Sequence, residues 1–214
     1  MADTTESDAP APTRARNRRG EGARLRDDIV AAAVELLDET GDEKAVTLRA
    51  VARRVGIAAP SIYRHFPDQP MIMLAVVRQA FTELEDRLQS AMTTAPPDPR
   101  SRLLALGHAY LDFAQSHPGR YRTMFGGLWM PDLDQTTLTE ADLAALGDTS
   151  MQLLVDALTG CVEADLATSD NLPADAVALW LGLHGLAHQR AVTVAYPWPP
   201  DIADRIITTL AHLK

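Results

Sequence analysis

Thr47-Leu-Arg-Ala-Val-Ala-Arg-Arg-Val-Gly56-Ile-Ala-Ala-Pro-Ser-Ile-Tyr-Arg-His-Phe66 reads as two short helices pivoting on one glycine. In the first, Thr47 suits the N-cap, Leu48, Val51, Ala52 and Val55 recur on one apolar face, and Arg49, Arg53 and Arg54 fall outside it. After the Gly56 turn, Pro60 suits the first turn of the next helix, where a missing N–H costs nothing. Ile62 and Phe66 form a buried i, i+4 pair there, which turns Ser61, Arg64 and His65 outward. Two short helices at a glycine hinge, with basic and aromatic residues crowded on the second, have the layout of a helix-turn-helix that reads duplex DNA.

Upstream, Ile29, Ala32, Ala33, Leu36 and Leu37 follow the spacing of one apolar helical stripe, extended a turn earlier by Leu25 and stopped by Gly41. Downstream, Pro67-Asp68-Gln69-Pro70 breaks the chain. Leu74, Val77, Phe81, Leu84 and Leu88 then mark a long helix from about Pro70 to Met92, ~34 Å in length. Pro96, Pro97 and Pro99 end it. Further helices are predicted at Arg100–Ser116, Gly119–Phe125, Glu140–Val162, Pro173–Thr193 and Asp201–Leu213, with Thr139 and Pro173 as start signals. Gly126-Gly127 and Asp132 to Thr137 make the one loop long enough to move. No strand alternation competes, so the fold class is all-α: a three-helix reader joined by a long helix to a larger helical body.

The 214 residues carry a net charge of −9, unevenly spread. From Arg14 to Phe66, 11 Lys and Arg face 8 Asp and Glu, a balance of +3; from Pro67 to Lys214, 9 face 18, a balance of −9; Asp3, Glu6 and Asp8 add −3. An acidic body is repelled by phosphate and turns the basic end towards a duplex. Residues 1–20 lack apolar periodicity and read as a flexible basic tail, whose Arg14, Arg16, Arg18 and Arg19 suit a minor-groove arm. The domains expected are therefore this tail, a reader over 21–66 and a body over 67–214. The single cysteine, Cys161, excludes a disulfide within the chain. Neither a signal-peptide run nor an apolar stretch of membrane-spanning length occurs, so a cytoplasmic protein without membrane contact is expected.

From Leu25 to Phe81 the sequence resembles the TetR (tetracycline-repressor-like) regulators, most specifically in Ile62-Tyr63-Arg64-His65-Phe66 between a glycine-hinged turn and a long helix. Trp180, His184-Gly185 and His117-Pro118-Gly119-Arg120-Tyr121 resemble the C-terminal domain named for its Trp-His-Gly motif. The resemblance implies phosphate contacts from Thr47, Arg49, Tyr63 and His65. It implies base reading near Ala59, Pro60, Ser61 and Arg64, with Arg64 suited to a bidentate guanine contact and Ala59 and Pro60 to a thymine methyl. The chain departs from the pattern at Gln69, where such regulators often carry a phosphate-binding lysine.

In the body, Ala178, Gly182, Gly185, Ala187 and Ala191 form a small-residue face for a homodimer on a palindromic operator. Tyr110, Phe113, Tyr121, Met124, Phe125, Trp129, Met130, Met151, Trp180 and His184 suggest a mostly apolar pocket for a small-molecule effector. No cofactor or metal is expected, and the leading function is a ligand-responsive transcriptional regulator, a repressor rather than an enzyme. Two alternatives stand beside it. One is a metal-assisted hydrolase using His108, Asp112, His184 and His188, although no G-x-S-x-G, H-E-x-x-H or phosphate-cradling glycine loop is present. The other is a helical protein-binding adaptor without DNA affinity.

Overall fold

A computed structural model of the chain describes residues 21–126 and 129–214; the tail arginines and Gly127 lie outside them. Among the described residues the regular structure is helical, in the order α1 (Glu21–Thr40), α2 (Leu48–Val55), α3 (Ala59–Ile62), α4 (Gln69–Thr94), α5 (Pro99–Ser116), α6 (Pro118–Phe125), α7 (Glu140–Ala144), α8 (Asp148–Glu163), α9 (Leu172–Val192) and α10 (Ile202–Leu210).

The apolar stripes read from the sequence close into a head. Ile29, Ala33 and Leu37 of α1 meet Val51 and Ala52 of α2, with Ile62 and Phe66, and every one of these side chains is buried. Gly56 ends α2 at φ 72°, a left-handed conformation in which a side chain would be strained. The backbone N–H of Phe66 donates to the Ile62 carbonyl at 2.9 Å, so helical geometry runs past α3 and carries Tyr63 and Arg64 on its outside.

The long helix α4 is longer than its apolar repeat suggests, 26 residues or ~39 Å. Asp68 caps it, one carboxylate oxygen accepting from the Met71 N–H at 2.9 Å. Its first turns, through Ile72, Met73 and Val76, belong to the head's core. Leu84 and Leu88 belong to a second core shared with α5, α8, α9 and α10. One rigid rod therefore enters both cores.

The apolar repeat from Glu140 to Val162 predicts one helix; the chain forms two. A capping box between Thr139 and Asp142 starts α7. Gly147, at φ 83°, then turns the chain before α8, and a β-carbon there would lie 2.9 Å from the Phe81 ring. The segment predicted as a loop also has structure: Leu133–Gln135 forms a 3-10 turn. The Thr136 hydroxyl and the Thr137 N–H then donate to Asp68 at 2.9 and 3.1 Å, tying the body to the start of α4.

Candidate nucleic-acid interface and ligand cavity

The outer surface of α2 and α3 is built so that the apolar partners fix the frame and the polar residues stay free. Thr47 Oγ1 accepts from the Ala50 N–H at 3.1 Å, capping α2. That bond uses the oxygen and leaves the hydroxyl proton to donate outward. Arg49, Arg53, Pro60 and Arg64 are exposed, Tyr63 is half exposed at 50%, and Ala59, Ser61 and His65 are half-buried. Among the described residues, Arg49, Arg53 and Arg64 form no ion pair. Arg54, on the same helix, is spent on the fold: its guanidinium grips Glu39 at 2.5 Å and reaches Glu35 at 3.4 Å, joining α2 to α1. The side chain of Gln69, at the position where the sequence departs from the lysine of similar regulators, donates to the Glu43 carbonyl at 3.3 Å and fastens α4 to the head.

In the body, α4, α5, α6, α8 and α9 line a partly open cavity of about 270 Å³. Of the pocket residues read from the sequence, Tyr110, Phe125, Met151 and Trp180 line it. Phe81, Leu84, Leu106, Asp148, Ser150 and Leu183 line it as well and escaped the sequence reading, because each sits inside an apolar repeat or at a turn. The other candidates lie elsewhere. Phe113 is wholly buried in the body core, stacked on His117 at 5.1 Å. Met124 packs on that core from its edge. Trp129 packs against the head, and Met130 is 79% exposed.

Tyr121 and His184 stand behind the cavity wall as its support. The Tyr121 hydroxyl lies 2.7 Å from His184 Nδ1 and 3.0 Å from the Tyr110 hydroxyl, which is itself 3.3 Å from Nδ1. Burial, followed by the neighbouring His188, lowers the His184 pKa, so the ring is neutral at pH 7. Burial pushes Tyr121 up to about 12 and Tyr110 higher still, so both phenols stay protonated. A neutral imidazole accepting at Nδ1 from a tyrosine satisfies all three groups.

One short helix joins the cavity to the head. On one side α6 presents Phe125 to the cavity and Tyr121 to the support triangle. On the other, Arg120 binds Asp38 of α1 through Nε–Oδ1 at 3.0 Å and Nη2–Oδ2 at 2.5 Å, and also grips Glu83 of α4. Arg122 reaches the Gly41 carbonyl at 3.4 Å.

The small residues of α9 divide between two roles. The space at Gly182, expected at a subunit interface, is filled from within: a β-carbon there would meet Leu210 of α10 at 2.4 Å. Ala187 is buried in the body core, and Ala178 is half-buried. Gly185 and Ala191 face outward, beside a stripe of exposed apolar side chains at Val177, Leu181 and Val192.

The residues of the hydrolase alternative do not converge. His108 pairs with Asp204 of α10 at 2.6 Å, whereas His184 faces the two tyrosines. Among the described residues no group of three His, Cys, Asp or Glu side chains could hold a metal ion. No helix among them is long and apolar enough to cross a membrane.

Residues 29–76 match the family of bacterial regulatory proteins described as tetR. Residues 103–213 match the tetracyclin repressor-like C-terminal domain. The chain is 27% identical over 169 residues to the uncharacterized HTH-type transcriptional regulator YobS of Bacillus subtilis (strain 168), spanning 78% of this chain and 77% of that one. It is 26% identical over 168 residues to the HTH-type transcriptional activator FasR of Mycolicibacterium smegmatis, spanning 77% and 72%. Among solved structures, a protein of unknown function from Rhodococcus sp. RHA1 superposes with a TM-score of 0.71 at 25% identity, covering 87% of this chain and 91% of that one.

Proposed function

The chain belongs to the tetR family of regulatory proteins, and from that premise we propose that it is a transcriptional repressor released from a palindromic operator when a small, mostly apolar effector enters the α4–α5–α8–α9 cavity. Two copies pair through the outward face of α9 with α10, where Val177, Leu181 and Val192 leave an apolar stripe in water. An isologous pair sets the two heads one helical turn of DNA apart, about 34–36 Å.

The observation that carries the reading is α6, which belongs to the cavity wall by Phe125 and to the head by Arg120 and Arg122. A ligand displaces an equilibrium only by binding two states unequally. A cavity whose wall grips the head supplies that inequality, since seating a ligand against Phe125 bears on the Asp38 contact. A tenfold loss of operator affinity requires a coupling of about 1.4 kcal/mol.

On the DNA, Thr47, Arg49, Tyr63 and His65 hold phosphate, while Ala59, Pro60, Ser61 and Arg64 face the bases. The test is selection of bound sites from random duplex DNA by the full chain and its variants. Arg49→Ala and Tyr63→Ala weaken binding to every selected sequence alike, and Arg49→Ala also reduces the salt dependence. Arg64→Ala changes the selected motif. An unchanged motif for Arg64→Ala refutes its base-reading role, and a full chain that selects no sequence at low salt refutes the whole reading.

A further inference from the structure

The effector cavity has a sign as well as a shape. Phe125 is the hub of its aromatic lining, with ring centroids 5.6 Å from Phe81, 6.2 Å from Trp180 and 6.3 Å from Tyr110. At one end the lining becomes polar through Asp148 and Ser150. The Ser150 hydroxyl donates to Glu85 of α4 at 3.3 Å, which places a second carboxylate beside the same rim.

Two neighbouring acids of this region are paired. Glu83 has Arg87 and Arg120, and Asp142 has Arg78. Glu85 is half-buried and, among the described residues, forms no ion pair; burial pushes its carboxyl up, and Asp86 adds to the effect. Asp148 forms none either. Among the described residues, no lysine or arginine lines the cavity. The hydroxyl of Tyr110, the lining phenol, is already engaged by Tyr121 and His184.

We infer that the effector is a small lipophilic cation, an apolar body of about one ring carrying a quaternary or protonated amine, seated among Phe81, Phe125 and Trp180 with its charge at the Asp148–Ser150–Glu85 rim. The inference rests on the cavity being the effector site and adds its chemical class. The aromatic faces attract a cation through their quadrupoles, and the rim supplies the charge that such a ligand would neutralise. Asp148 is exposed at the first turn of α8 and Glu85 accepts from Ser150, so water, the helix N-terminus and a hydroxyl soften both charges. A carboxylate or phosphate ligand would still meet, among the described residues, two acids and no cation at this rim. At about 270 Å³ the cavity lies just below the range of drug-sized ligand sites, which starts at about 300 Å³, and so suits a body of about one ring.

Benzyltrimethylammonium, its uncharged isostere neopentylbenzene, and 4-phenylbutyrate are the probes, with binding to the full chain followed by saturation-transfer NMR and thermal shift. The cation is expected to bind about tenfold more tightly than the neutral isostere, and the anion not measurably. Asp148→Asn with Glu85→Gln should bring cation and isostere to within about twofold. Met151→Trp, which fills the cavity, should abolish both. A cation that binds no better than the isostere, or an anion that binds better, overturns the chemical class and leaves the cavity standing as a site. If no probe binds, or if Met151→Trp binds them as the native chain does, the cavity reading itself falls.

Discussion

Breaking the Arg120–Asp38 contact separates the cavity's role from the head's most directly. The Arg120 side chain is 15% exposed, against 39% for Asp38 and 31% for Glu83. Charge-assisted hydrogen bonds contribute about 1.5–3 kcal/mol when buried, and fully exposed pairs about 0.2–1 kcal/mol. Water replaces much of what Asp38 loses, so a cycle of Arg120→Ala, Asp38→Ala and the double variant should give a coupling of about 1–1.5 kcal/mol. Arg120→Ala alone also takes one of two cations from Glu83, and should cost about 2–3 kcal/mol by urea denaturation. At about 2–4 °C per kcal/mol for a chain of this size, the Tm should fall by about 4–12 °C. The functional readout uses Met151→Trp as a permanent occupant of the cavity. That substitution should weaken binding to a selected operator about tenfold, and by about threefold or less once Arg120 is alanine. A coupling below ~0.3 kcal/mol, or an undiminished effect of Met151→Trp in the Arg120→Ala background, would refute α6 as the link.

Two further outcomes follow from the cavity wall. Gly147→Ala puts a side chain at φ 83° and its β-carbon 2.9 Å from the Phe81 ring; a loss of about 1–2 kcal/mol in urea is expected, and an unchanged midpoint would show that α7 and α8 do not need this turn. Burial holds the His184 imidazole below the ordinary value of 6.5, so as pH falls the unfolded chain takes up this proton first. Its contribution to stability is complete above about pH 6.5 and is lost below it, down to the folded protein's own titration. His184→Gln should therefore flatten the acid side of the stability curve below about pH 6.5, and a curve parallel to the native one would contradict a half-buried neutral ring.

Signals confined to a few neighbouring residues were legible in the sequence. Thr47 as a cap, Gly56 as a left-handed hinge and the Ile62–Phe66 pair each act over four residues or fewer, and the head follows from them. Contacts between distant segments left no such trace. Arg120 and Asp38 are 82 residues apart, and Asp68 meets Thr136 and Thr137 across 68 and 69. In sequence each reads as an ordinary surface charge or hydroxyl. Gly147 was hidden for a different reason, because the apolar repeat continues on both sides of it and periodicity alone cannot show a reversal of direction. Composition misplaced Trp129: an aromatic residue near Phe125 in the chain suggested the cavity, but the path of its segment carries it to the head.

The same long-range contacts give the proposed coupling between cavity and head a physical route. Met73 of the head and Phe81 of the cavity wall are eight residues apart on α4, a separation of about 12 Å along one unbroken helix. Bending a helix within that distance would break backbone hydrogen bonds, whereas tilting it only repacks side chains at its ends. A ligand that moves Phe81 therefore tends to move the head as a body. Opposing it are the ties at Asp68, at Arg78–Asp142 and at Arg120, all of which run from the body to α4 or α1. Each tie is a modest polar contact, so a ligand shifts the head only if its unequal binding to two positions of the rod exceeds what these ties together contribute.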